Sequence, residues 1–258
     1  MKAVILAGGL GTRLAEETEL RPKPMVEIGG RPLLWHIMQT YSCYGVTDFI
    51  ICLGYKGYFI KEYFMNFYLH TSDIEINLGT GAHRVISNSS PDWTVTLVDT
   101  GPDSMTGERL RRVRSYIGEE TFCLTYGDGL ADIDMAALIA RHREGKRLAT
   151  VTAVVPPGRF GVLELGDHGE VTAFKEKPSE DGGWINGGFF VLEPRALDYV
   201  QGENASWEQE PLANLARDGQ LTAYRHGGFW QPCDTLRDKR ALEALWQAGR
   251  APWCVWRD

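Results

Sequence analysis

A chain of 258 residues with 43% hydrophobic and 24% charged residues can bury one full α/β core and is too short for two ordinary domains. Its formal net charge of −7 lacks the Lys/Arg excess from which phosphate-backbone affinity arises, which excludes a general nucleic-acid binder. The apolar run after Lys2 is too short for a signal-peptide core, and no later stretch approaches the ~20 apolar residues of a membrane span, so a cytoplasmic protein without membrane contact is expected.

"KAVIL" (2–6) opens the chain as a near-continuous apolar strand of the kind covered on both faces, and it runs straight into "AGGLGTR". Small residues at a strand's carboxyl end leave bare backbone N–H groups that can wrap a phosphate without Cβ collisions. The stretch Leu6, Ala7, Gly8, Gly9, Leu10, Gly11, Thr12 and Arg13 is neither a Walker loop nor a dinucleotide fingerprint, because GK[ST] and the third glycine are both absent. On its glycines alone it reads equally as a tight turn. Arg13 and Lys23 shift the balance: a guanidinium fork and a mobile ammonium suit a polyphosphate, and Pro22 and Pro24 stiffen the segment around Lys23. The competing reading is a pair of solvated surface cations.

From Pro32 onward, Leu34, Ile37, Met38 and Tyr41 recur at helical spacing with proline in the first turn. "DFIICLG" (48–54), "TVTLVD" (94–99) and "TFCLTYGD" (121–128) are further apolar strands, and a helix after Asp134 carries Met135, Leu138, Ile139 and His142. Strand and helix alternating over residues 1–150 predict right-handed βαβ units and a mostly parallel, doubly wound sheet, with ligands at the strands' carboxyl ends. "DSMTGERL" (103–110) follows the third of these strands and opens a helix. The hydroxyls and N–H groups around Ser104, Thr106 and Gly107 can read a pyrimidine edge there, or serve as an ordinary cap with Arg109 solvated.

Gly127 and Asp128 end the fourth strand where a carboxylate can face a ligand cleft, and Asp234 closes "GGFWQPCD". Two carboxylates converging on a triphosphate would hold Mg²⁺, which takes one or two carboxylates together with phosphate oxygens. Asp234 reads alternatively as the N-cap of a last helix, roughly 235–248, which carries Leu242, Leu245 and Trp246 on one face. After residue 150 the texture changes to short strands with turn residues, predicting a mixed-sheet extension that walls a cleft. Gly161 and the run Asn186, Gly187, Gly188 allow close backbone approach there, or mark bulges. The five cysteines show no metal spacing and read as reduced, and Trp253 and Trp256 cap the core or meet another subunit.

"LAGGLGTRL" with "RPKPMVEIGGRPLLWHI" resembles the nucleotide loop of the sugar-1-phosphate nucleotidylyltransferases. Further matches follow in order: "TYGDG", "PPGRFGVLEL", "FKEKP", "INGGFFVL", "WEQEPL" and "GFWQPCDTLRDK". The resemblance covers nearly the whole chain, is weakest around 74–92, and implies the nucleotide-diphospho-sugar transferase fold. That is a single domain over 1–258: a Rossmann-like nucleotide-binding part over 1–150, a sugar-phosphate-binding extension over 151–233, and a C-terminal helix and tail over 234–258.

By the same resemblance, Arg13, Lys23 and Asp128 are catalytic, Asp128 and Asp234 hold Mg²⁺, and Ser104 and Arg109 contact the base. Glu176 and Lys177 take the sugar hydroxyls and phosphate, with Gly161, Asn186 and Gly187 beside them. The branch resembled most joins CTP to glucose 1-phosphate, giving CDP-glucose and pyrophosphate, with UTP or dTTP as the nearest alternatives. It implies a homo-oligomer, trimer or hexamer.

Overall fold

The structure, a computed structural model, describes residues 1–156, the backbone of 162–165 and 171–175, and residues 183–256. Of the expected site residues, Gly161, Glu176 and Lys177 lie outside the described residues.

Seven strands form one sheet: β1 (Lys2–Leu6), β2 (Asp48–Leu53), β3 (Thr94–Asp99), β4 (Phe122–Tyr126), β5 (Ala149–Val154), β6 (Ile185–Leu192) and β7 (Leu221–His226). Their spatial order is β7-β5-β6-β4-β1-β2-β3. All neighbours pair in parallel except β6, which runs antiparallel to both β4 and β5. The expected mixed-sheet region therefore continues the main sheet through one reversed strand. Because β6 is reversed, its beginning, at Ile185 and Asn186, lies at the same end as the carboxyl ends of β1 and β4. The order reverses between β1 and β4, which is where a crevice opens in a doubly wound sheet.

Alternation along the central strands explains the two cores. Ala3 and Ile5 of β1 face one cluster with Ile37, Met38, Tyr41, Leu138 and Leu242, while Val4 and Leu6 face another with Leu110, Val113, Phe190 and Trp207. Helices α1 (Leu33–Ser42), α2 (Gly57–His70), α4 (Met135–Gly145) and α6 (Leu236–Gln247) cover the first face, and α3 (Thr106–Arg112) and α5 (Glu210–Arg217) the second.

Three expectations are corrected in detail. Pro32 precedes α1 as its N-cap rather than sitting inside the first turn. β3 is an edge strand, only part-buried, because among the described residues nothing pairs beyond it. Asp234 is not a helix cap: Thr235 caps α6, accepting from the Asp238 N–H while the Asp238 carboxylate accepts from Thr235. Trp253 is wholly buried, donating to His36 Nδ1 at 3.3 Å, so the tail's first tryptophan completes the core.

Candidate active site

A cleft of about 490 Å³ opens over the β1/β4 switch point, lined by residues 6–9, 11–13, 23, 24, 104–106, 109, 126–128, 186, 206 and 208. That volume is within the usual range of small-molecule sites. Gly11 turns at φ +66°, which favours glycine, and the chain then winds through a 3-10 turn at Thr12–Leu14. Thr12 and Arg13 stand on the rim, while Leu10 is exposed beside the cleft.

Arg109 explains the glycine at position 8. The residue is 3% exposed, and its guanidinium donates to the carbonyls of Leu53, Gly101, Gly8 and Pro102 and to Thr100 Oγ1, at 2.8–3.3 Å. A Cβ on Gly8 would stand 2.2 Å from Arg109 Nη1. Arg109 is therefore not solvated; it lines the cleft and ties the phosphate loop, the end of β2 and the 100–102 turn together with donors already engaged.

The segment beyond residue 101 is held by a second, distant segment. Asn204 Oδ1 accepts from the Met105 N–H at 2.6 Å and Asn204 Nδ2 donates to the Asp103 carbonyl at 3.1 Å. Thr106 Oγ1 donates to Glu208 Oε2 at 2.5 Å and accepts from the Trp207 N–H at 2.9 Å. Ser104 lines the cleft, but Gly107 lies behind its wall, where a Cβ would meet the Ala205 carbonyl at 2.7 Å. Glu208 faces the cleft close to Tyr126, whose phenol is pushed well above its usual range by burial first and by the Glu208 carboxylate next. Tyr126 OH also meets Asn186 Nδ2 at 3.3 Å, and Asn186 Oδ1 accepts from the Gly188 N–H at 2.8 Å. Gly187 presents its carbonyl to Trp230 Nε1 at 2.7 Å. Gly188, at φ +80°, leaves room for the Tyr126 ring, which a Cβ would meet at 2.5 Å.

The two expected carboxylates are brought together by a short ladder. Gly129–Ala131 pairs antiparallel with Trp230–Pro232, Gly129 opposite Pro232, and the Cys233 N–H donates to the Asp128 carbonyl at 2.9 Å. Residues 106 positions apart in sequence thus become neighbours. Between their side chains sits Lys23, its Nζ 2.6 Å from Asp128 Oδ2 and 2.6 Å from Asp234 Oδ1. Arg13 Nη1 pairs with the other Asp234 oxygen at 2.9 Å. Lys23 is 8% exposed; burial opposes its charge, but the two carboxylates outweigh that and raise its pKa above the ordinary lysine value.

A cation thus already fits between the two carboxylates. Two carboxylates completed by substrate phosphate oxygens are an ordinary Mg²⁺ ligand set, and among the described residues no group of three or more His, Cys, Asp or Glu side chains offers a self-sufficient metal cage.

Sequence reasoning gave no role to Glu208, Asn204 or Tyr126. The first two lie about a hundred residues from the segment they hold, and no spacing rule reaches that far; the only signal, for Glu208, was "WEQEPL", a motif without an assigned task.

A glycine loop at the switch point of a doubly wound sheet, facing paired carboxylates and two cations, defines a nucleotide-handling transferase, and the chain belongs to the nucleotidyl transferase family, whose model matches residues 2–231. Over 257 residues, 99% of this chain and 100% of the relative, it is 57% identical to the glucose-1-phosphate cytidylyltransferase of Salmonella typhi. It is 46% identical, over the same shares, to the probable glucose-1-phosphate cytidylyltransferase of Bacillus subtilis. Among solved structures, HddC from Yersinia pseudotuberculosis matches with a TM-score of 0.70 at 23% identity, covering 95% of this chain and 99% of that one, a likeness of fold.

Proposed function

We propose that the chain transfers a cytidylyl group from CTP to α-D-glucose 1-phosphate, releasing pyrophosphate and CDP-glucose. The observation that carries the chemistry is the meeting of Asp128, Asp234, Lys23 and Arg13 at the mouth of the glycine loop. The full-length identity to enzymes of that name supports the choice of CTP and glucose over UTP or dTTP.

Two anions must approach each other, so the site has to cancel charge before any bond can form. Backbone N–H groups of residues 8–11 cradle the triphosphate; Lys23 and Arg13 transfer their charge from the aspartates to the phosphates. Asp128 and Asp234 would hold Mg²⁺, which supplies further neutralisation of the phosphate oxygens when bound. The sugar-phosphate oxygen attacks the α-phosphorus in line; one P–O bond forms, the bond to the bridging oxygen of the β-phosphate breaks, and pyrophosphate leaves with the electron pair. No protein nucleophile is needed. By resemblance, Ser104 and its neighbours take the base, and Asn186, Gly187, Gly161, Glu176 and Lys177 take the sugar phosphate. The working form is read as a cytoplasmic homo-oligomer, trimer or hexamer, supported by the exposed apolar side chains of α2 and of the hairpin Ser72–Ile76/His83–Asn88.

Pyrophosphate release with Mg²⁺ and glucose 1-phosphate, measured side by side with CTP, UTP, dTTP and ATP, tests this reading. Preference for CTP is expected; preference for another nucleotide moves the base specificity, and silence with all four overturns the reading.

A further inference from the structure

The carboxylate pair that would hold the metal is already neutralised from within. Two cations face two carboxylates: Lys23 Nζ lies 2.6 Å from an oxygen of each aspartate, and Arg13 Nη1 lies 2.9 Å from the remaining oxygen of Asp234. Lys23 and Asp234 are both buried, so little water screens the pair at the centre of the cluster. A divalent ion entering alone would either sit against the ammonium, at the cost of like-charge repulsion, or drive it away from both carboxylates with no new anion to meet it.

A nucleoside triphosphate changes that balance. Its phosphates offer Lys23, on a flexible four-carbon stem, and Arg13, already on the cleft rim, an anion to pair with. The aspartate oxygens are freed by the same movement that seats the nucleotide.

We propose that Lys23, assisted by Arg13, is a resident counter-cation that keeps Asp128 and Asp234 from binding a divalent metal until a nucleoside triphosphate draws it away, so that metal is retained only together with nucleotide. The inference rests on the functional reading above and adds the order and the coupling: metal and nucleotide favour each other's binding, and the residue that enforces this is Lys23. Such coupling is reciprocal by linkage.

The test uses Mn²⁺ as the probe and the relaxation rate of water protons as the readout, which rises when Mn²⁺ is held by the slowly tumbling protein. Full-length wild type with Mn²⁺ alone should show no enhancement, and addition of CTP should produce it. Lys23→Met should bind Mn²⁺ without nucleotide at least roughly tenfold more tightly than wild type, within the usual span of a coupling between two ligands. The double variant Lys23→Met/Asp234→Asn should lose that gain, which locates the ion. Should Lys23→Met fold poorly with two unpaired carboxylates, Arg13→Gln, at an exposed position, should show a smaller gain in the same direction. Tight binding of Mn²⁺ by nucleotide-free wild type, or no gain in either single variant, overturns the proposal. Failure of wild type to hold Mn²⁺ even with CTP would instead overturn the functional reading, and with it the premise.

Discussion

Asp234 reads on paper as a metal carboxylate or, alternatively, as the cap of the last helix, and in the structure both of its oxygens are engaged by cations, Lys23 on one and Arg13 on the other. Arg109 is not the solvated cation that was one of its readings: it ties three loops from a buried position and still lines the cleft. Both outcomes follow from long-range pairing, which residue type and local spacing do not encode. Glu208 shows the same logic, since its carboxylate accepts from Thr106 and Ser206 Oγ, the latter at 2.7 Å, and so holds the wall opposite the phosphate loop. Glu208→Gln is expected to raise KM for the nucleotide roughly tenfold, one charged hydrogen bond's worth, with kcat little changed, because Glu208 braces the wall without joining the charge cluster at the phosphates. Steady-state kinetics check this; a fall in kcat at constant KM would place Glu208 at the reacting atoms instead.

At the scale of elements, much was legible. The 3.6-residue spacing of Leu34, Ile37, Met38 and Tyr41, and of Met135, Leu138 and Ile139, marks α1 and α4 because each helix has a single buried stripe to satisfy. The strands "KAVIL" and "DFIICL" were readable for the opposite reason, being apolar on both faces between two helical layers. β3 carries the same apolar texture but ends the sheet, a fact of strand order that its own residues do not express. The hairpin Ser72–Ile76/His83–Asn88 went unread because it stands away from the core and shows no buried face. α6 starts at Leu236, one residue later than expected, and there the capping box decides: Thr235 and Asp238 satisfy each other's backbone N–H groups. Thr235→Ala should cost about 1 kcal/mol, lowering the melting temperature by about 2–4 °C for a chain near this length. Thermal unfolding measures it; an unchanged midpoint would show that packing of Leu242, not the cap, fixes the helix start.

For the whole molecule, the broad plan came from alternation of strand and helix and the site's location from the rule that ligands gather at strand ends, while the site's assembly depended on the Gly129–Ala131/Trp230–Pro232 ladder, which joins the chain's middle to its end. Large apolar side chains stand exposed at Met65 on α2, at Leu78 (92% exposure) in the hairpin turn and at Ile86 beyond it, the face assigned to the proposed subunit contact. The double variant Leu78→Glu/Ile86→Glu is expected to dissociate the proposed oligomer to monomers in light scattering, whereas a wild type already monomeric at micromolar concentration would contradict the assignment of that face.

In the proposed reaction the Lys23, Asp128 and Asp234 cluster is the reaction centre and not merely a buried ion network. The most direct measurement is the turnover of CTP and glucose 1-phosphate to CDP-glucose by Asp128→Asn and Lys23→Ala, taken alongside their circular dichroism. Turnover is expected to fall about a hundredfold or more in each folded variant, the scale of losing one preorganised charge stabiliser. Near-normal turnover in either variant would contradict it and reduce the cluster to a structural salt bridge.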